Sequence, residues 1–387
     1  MAVKAILVLG GGIGGIVAAS LLRKQLPREH RVVLVEREAR HVFAPYLLWL
    51  MTGTRREDQI SRPLSRLTRA GIELGRGEVE RIDPYAPSVY VNGQEIAGDY
   101  MVIALGAELA PETVPGLAEA GHNLYTPDGA RALNQARTEF CQGHLAVLIG
   151  GIPFKCPAAP YEAAMLLEAD VRKRGARSAI TVDVYTPEPG PMMTAGPEVS
   201  ANLRQMVESR GVRLHTEHAV SEIDPAKRLI HFKNGANAPL DLLVYVPPHR
   251  APAAVRAAGL VGESGWIPVN RQTPETKFPR VYAIGDVNGI ALVNGRPLPK
   301  AGVIAHGEAE VVASNIAGAI TGTGAPRSFD GHGACFIEIG DNRAGFGSGN
   351  FFADPAPQIR LRPPGSAALR QGRLRKILAL PLVLRAS

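Results

Sequence analysis

Ala5-Ile6-Leu7-Val8-Leu9-Gly10-Gly11-Gly12-Ile13-Gly14-Gly15 is the stretch on which the fold of this 387-residue chain turns. Five aliphatic residues in a row predict a strand buried on both faces, because a strand with one wet face alternates apolar with polar. Gly10, Gly12 and Gly15 fall on the pattern G-x-G-x-x-G, which supplies a tight turn, close approach of backbone to a ligand, and tight helix packing. The helix opened here is predicted to run to about Lys24, with its free N–H groups and positive dipole end turned toward an anion. Arg31 to Val35 gives the next strand, and Glu36 closes it where a carboxylate takes ribose hydroxyls. Strand, glycines, helix, strand and acid together predict a dinucleotide-binding unit. The glycines alone would say only that there is a turn.

The pattern begins again at Leu145 to Ile149 and then departs from its template. Gly150-Gly151-Ile152-Pro153-Phe154-Lys155-Cys156-Pro157-Ala158-Ala159-Pro160-Tyr161-Glu162 stands where three spaced glycines belong. Pro153 removes an N–H donor, and Phe154 and Lys155 add bulk where pyrophosphate would lie on the backbone. A nicotinamide dinucleotide site is therefore predicted to be lost, with Cys156 between prolines in its place. The unit continues through a strand at Ala179 to Tyr185 and a helix from about Pro197 to Arg210. Glu188, in the intervening proline-rich loop, reads either as a ribose-binding acid or, more simply, as an exposed loop acid.

Two further stretches return to the first unit. Asp99 to Gly106 is a strand ending in Ala104-Leu105-Gly106, where the small residues let backbone approach a cofactor. Val281 to Val287 is an apolar strand ending in Gly285-Asp286, placing a carboxylate to accept a ribityl hydroxyl of a flavin. Lys300 precedes a helix to about Ile320 and reads equally as a neighbour of the flavin's electron-rich edge or as a solvated lysine. His41 to Met51, with Phe43, Tyr46 and Trp49, either covers a flavin or fills core. Arg55 to Arg69 is predicted helical.

The fold class is α/β: two Rossmann-like dinucleotide-binding domains of the FAD/NAD(P)-linked reductase type, plus a C-terminal membrane-associating segment. Residues 1–110 with 270–330 form the FAD-binding domain, and 111–269 form the second domain with its degenerate NAD site. Residues 331–387 carry Cys335 and the tail.

The net charge of +7 favours anionic partners. No zinc-finger spacing or aromatic RNA-binding motif points to nucleic acid or to a metal. In the tail, Arg370, Arg373, Arg375 and Lys376 precede Ile377 to Leu384, basic residues beside aliphatics, as in an interfacial anchor. The first strand starts too early for a cleavable leader, and no apolar run approaches the ~20 residues needed to span a bilayer. The expected location is the cell membrane, with the protein peripheral or monotopic. Three cysteines suit one redox pair and one spare rather than a structural disulfide framework. The oligomeric state, a homo-oligomer included, stays open.

With these residues in place, the chain from its first strand to about Phe352 resembles the two-dinucleotide-domain flavoproteins, within them the group of sulfide:quinone oxidoreductase and the flavin subunit of flavocytochrome c sulfide dehydrogenase. Lys155 to Glu162 carries the resemblance most specifically. It implies noncovalent FAD held by Gly10, Gly12, Gly14, Gly15, Glu36, Ala104, Gly106, Gly285 and Asp286, with Lys300 at the flavin edge. It implies Cys156 and Cys335 as a redox pair and Glu162 as a proton-handling acid. Sulfide as donor and a membrane quinone as acceptor then follow. Cys141 lies closer to Cys156 than the family's third cysteine does, and no cysteine follows the second strand, where flavocytochrome relatives attach FAD. The last aromatic is Phe352, although the family's quinone pocket often takes one from further on. The alternatives are a cytochrome acceptor, a type II NADH:quinone dehydrogenase, and a flavin redox sensor without turnover.

Overall fold

The computed structural model describes residues 2–367. A five-stranded parallel sheet runs in the order Val281–Ala283, Tyr100–Ile103, Ala5–Leu9, Arg31–Glu36, Glu73–Arg76. The continuous aliphatic run of the central strand is explained by its two covered faces. Ile6 and Val8 pack against the helices Ile13–Gln25 and Gly302–Thr321, while Leu7 and Leu9 face an antiparallel meander between Val79 and Ala97. All four side chains are fully buried. In the meander, Asn92 and Gly93 both take positive φ, the conformation that a two-residue hairpin turn with the strands' own twist requires.

The architecture repeats once. A second five-stranded parallel sheet runs His122–Asn123, Leu242–Val246, Gly143–Ile149, Ile180–Tyr185, Arg213–His215. The helices Ala159–Lys173 and Pro197–Glu208 cover one face, and a meander between Val220 and Pro239 covers the other. Phe43, Tyr46 and Trp49 pack into the core of this second sheet, so the aromatic run His41 to Met51 is core. The last element is an antiparallel sheet of His332–Glu338, Ala344–Asn350 and Gln358–Gly365. The basic apolar tail, Arg370 to Ser387, lies outside the described residues.

Two local expectations fail for identifiable reasons. Arg55 to Arg69 is not one helix but a short helix Glu57–Ile60, a strand Ser61–Pro63 paired with Arg40–Val42, and a 3-10 turn Leu64–Ala70. Pro63 cannot donate an amide to a helix and biases the residue before it toward extended backbone. The strand expected to end in Gly285-Asp286 stops just short of them at Ala283, because Gly285 turns at φ +73° into a 3-10 turn.

A charge knot around the buried carboxylate of Glu168 ties the last sheet to the second domain. Glu168, 2% exposed, accepts from Arg172 at 3.2 Å and from Arg210 at 3.0 Å, and both arginines also bind Asp341 at 2.7 Å in the first turn of the last sheet. Removing one partner of a buried ion pair costs more than the pair contributes, since the remaining charge stays desolvated. We therefore expect Glu168→Ala to lower stability by about 3 kcal/mol, near the lower end for broken buried pairs because Arg210 keeps Asp341. The midpoint of urea unfolding checks this, and an unchanged midpoint would remove the knot from any account of how the last sheet is held.

Candidate functional site

The first glycine motif forms a cradle in which each glycine meets a different constraint. A Cβ at Gly15 would lie 1.8 Å from the Gly10 carbonyl oxygen, and one at Gly10 would lie 2.4 Å from the Ala104 oxygen; these two glycines let the protein's own backbone close up. At Gly14 a Cβ would press on Ile284 at 3.2 Å. Gly12 and Gly106 instead face open space, the room a ligand's phosphates would need. The helix starting at Ile13 has no side-chain cap and no acid in its first turn, so its positive end remains available. Glu36 is already oriented, accepting from the Gly11 N–H at 2.5 Å and the Glu38 N–H at 2.8 Å. His41, which sequence reasoning passed over as chemistry, shares Nδ1 with the Gly11 carbonyl at 2.9 Å and has its buried Nε2 unsatisfied. These residues fit a dinucleotide cofactor with an anionic pyrophosphate and ribose hydroxyls.

The cysteine loop of the second domain reaches across to this cradle. The Cys156 N–H donates to the Lys300 carbonyl at 2.6 Å, and Lys155 and Lys300 form an isolated parallel bridge. Tyr125 donates its hydroxyl to the Lys155 carbonyl at 2.6 Å, and the Cys156 carbonyl accepts the Ala159 N–H at 2.9 Å. Cys156 holds φ +49°, a left-handed conformation that a non-glycine residue keeps only when its surroundings impose it. Charged groups crowd around it. Burial pushes Asp286 up while Lys155 and Lys300 oppose that shift; burial pulls Lys155 down, with Asp286 and Cys156 opposing. Burial pushes Tyr125 far up, helped by Cys156 and Asp286, and takes His249 down to about 3, helped by Lys155.

Lys300 is brought to this place, but its ammonium is engaged. Nζ donates to the carbonyls of Asp286 at 2.8 Å and Asn288 at 2.9 Å, and sits 3.5 Å above the centre of the Trp266 ring. Burial lowers it to about 8 against the pull of Asp286 and Glu308. Lys300 is therefore not a solvated lysine.

Glu162 lies in the first turn of the helix Ala159–Lys173 and is 2% exposed. Its Oε1 accepts the Glu338 N–H at 2.8 Å, and the Glu338 carboxylate accepts the Trp49 indole N–H at 3.0 and 3.1 Å. Glu338 belongs to the strand of Cys335, so this bond lays that strand against the helix following Cys156. Both cysteines border the same apolar core. Cys141 is exposed and precedes the seven-residue strand Gly143–Ile149, whose other end leads to Cys156; a strand of that length spans about 20 Å. It stands apart from the site.

The second helix start differs from the first in kind. It carries its own acid, Glu162, and a proline in its first turn, so its dipole is already answered inside the protein. Glu188 is not the exposed loop acid expected: it is 9% exposed, and burial raises it to about 7 with Arg296 opposing. Of the residues not foreseen, Glu308 had a legible signal, since its neighbours three back and four on, Ala305 and Val312, belong to the helix's buried face. Tyr125, Trp266, His249 and Glu338 had none, because each joins the site through a contact distant in sequence.

The family model for pyridine nucleotide-disulphide oxidoreductases matches residues 4–309. A sulfide-quinone reductase of Aquifex aeolicus is 30% identical over 377 residues, covering 93% of this chain and 85% of that protein. A mitochondrial sulfide:quinone oxidoreductase of Mus musculus is 25% identical over 366 residues, covering 90% of this chain and 79% of that one. The X-ray structure of the sulfide:quinone oxidoreductase from Aquifex aeolicus superposes with a TM-score of 0.89 at 25% identity, covering 99% of this chain and 92% of that chain. With the doubled parallel-sheet architecture and the glycine cradle, these likenesses mean that the chain belongs to the pyridine nucleotide-disulphide oxidoreductase family and, within it, to the group of the sulfide:quinone oxidoreductases.

Proposed function

We propose that this protein is a flavin-dependent sulfide:quinone oxidoreductase in which Cys156 and Cys335 form the redox pair. The observation that carries the proposal is the seat of Cys156. It is held by Lys300, whose ammonium binds the Asp286 carbonyl, just ahead of a helix start whose first-turn acid receives the strand of Cys335. The likeness to the Aquifex and mouse proteins supports sulfide as donor and quinone as acceptor.

Hydrosulfide, a nucleophilic anion at neutral pH, attacks the disulfide form of the pair. A new S–S bond forms as the cysteine–cysteine bond breaks, leaving a persulfide on one cysteine and a thiolate on the other. Lys155 favours negative charge at Cys156, and thiolate rather than thiol is the reactive form. The persulfide proton passes to Glu162, which is buried and close to both cysteine-bearing segments. Gly10, Gly12, Gly14, Gly15, Glu36, Ala104, Gly106, Gly285 and Asp286 would hold FAD noncovalently, and the flavin when bound would supply the two-electron acceptor that lies between the site sulfur and quinone. Lys300 fixes the turn Asp286–Asn288 next to the flavin edge and anchors Cys156 to it. Pro153, Phe154 and the self-answered helix start leave the second domain without a seat for NADH.

Among the described residues no helix is long and apolar enough to cross a membrane. The basic apolar tail, Arg370 to Ser387, is proposed to hold the protein on an anionic membrane surface, where the quinone is met.

Three outcomes test the proposal. Cys156→Ala and Cys335→Ala should each retain yellow, flavin-loaded protein whose absorbance no longer bleaches with sulfide under anaerobic conditions, and NADH should bleach neither these variants nor the parent. Bleaching by sulfide in either variant, or by NADH in the parent, would refute the cysteine chemistry. Glu162→Gln should slow sulfide-driven bleaching by roughly 100-fold or more, the scale of one positioned acid or base, in stopped-flow measurements. Removing residues 370–387 should leave that bleaching intact while abolishing co-sedimentation with anionic vesicles; vesicle binding by the shortened protein would reject the anchor.

A further inference from the structure

Glu308 is fully buried in the helix Gly302–Thr321 and has no part in the chemistry above. Its Oε2 accepts the Gly285 N–H at 2.6 Å, and its Oε1 accepts the Asn288 side-chain amide at 3.0 Å. The same amide nitrogen donates to the Ala283 carbonyl at 3.1 Å, so one carboxylate grips both ends of the turn Gly285–Asn288. Two carbonyls of that turn, those of Asp286 and Asn288, receive Lys300 Nζ, and the carbonyl of Lys300 receives the Cys156 N–H. An unbroken set of hydrogen bonds thus runs from Glu308 through the turn and Lys300 to the cysteine.

We infer that Glu308 is a positioning residue for Cys156, setting through the turn Gly285–Asn288 and Lys300 where the cysteine backbone sits. The inference rests on Cys156 being the working thiol proposed above. A carboxylate accepts with both oxygens, whereas the protonated acid carries an O–H that must donate, so protonation gives up one grip on the turn. The charged groups acting on Glu308 are Asp286, on the turn, and Lys300, on the segment before the helix. From the packed helix Ile13–Gln25, Gly14 meets Ala305; from the strand His332–Glu338, Gly333 meets Ile304 while Glu338 is turned to Trp49. On its own helix, His306 and Glu310 pair with each other. Burial raises Glu308 to about 7 against its two hydrogen bonds and Lys300, so its hold on the turn loosens as pH falls through neutrality.

Hydrogen–deuterium exchange of the flavin-loaded protein, read by mass spectrometry without substrate, tests this at the Cys156 amide. Rates are divided by the intrinsic rate at each pH. In the parent, protection of that amide should fall as pH drops through neutrality. In Glu308→Gln, a neutral isostere, it should be lower by roughly tenfold just above neutrality, the worth of a hydrogen bond to a charged group, and should not change as pH falls from there through neutrality. Lys300→Met, which cuts the relay at its middle, should lower Cys156 protection at all pH values while the Gly285 amide stays protected. Unchanged, pH-dependent protection of Cys156 in Glu308→Gln would overturn the inference. Should that variant not fold, unchanged protection in Lys300→Met would overturn it instead. No sulfide turnover enters the measurement, so failure of the proposed activity and failure of the relay are separate results.

Discussion

The hydrogen bond from the Cys156 amide to the Lys300 carbonyl is the constraint on which the site depends. It joins a loop of the second domain to the segment entering the last helix of the first, and the Lys155–Lys300 bridge repeats the join one residue earlier. A left-handed φ at a residue with a side chain costs on the order of 1–3 kcal/mol and survives only where neighbours over-determine it. Here the Lys300 carbonyl, the Tyr125 hydroxyl and the Ala159 amide all bear on two consecutive residues. Backbone contacts on both sides thus fix where Cys156 sits.

Around that join the protein buries opposite charges together. Asp286 and Glu308 are both raised by burial, and Lys155 and Lys300 are both lowered by it; each is restrained by charge of the other sign. Such a cluster contributes little net stability, because desolvation offsets most of the attraction. It does hold Lys155 within electrostatic reach of Cys156 and the turn Gly285–Asn288 fixed. Lys300 lying on Trp266 removes the remaining freedom of its long side chain.

One architecture occurs twice in the chain and is put to two uses by the chemistry of its helix starts. The helix from Ile13 begins on bare glycines with nothing anionic of its own, so its N–H groups await a phosphate. The helix from Ala159 begins on a proline and on Glu162, which brings the negative charge from within. The second start therefore carries its own anion where the first is open to one. Glu338 accepts the Trp49 indole and donates its amide to Glu162, which lays the late strand of Cys335 on this same end.

The glycine spacing, the two aliphatic strands, the acid after the second strand and the proline-flanked cysteine could all be read from the sequence. Each is a local pattern whose period or spacing is itself the physical cause. Sequence also showed Pro153 and Phe154 standing where the second unit would carry its glycines. It could not show that the Lys300 ammonium would turn to two carbonyls and a tryptophan, or that Glu188 would be buried. Nor could it show Tyr125, Trp266 and Glu338 converging on residues tens to hundreds of positions away. The tertiary structure alone decided those points, because side-chain direction and desolvation are set by which distant segments pack together, and no local periodicity encodes that.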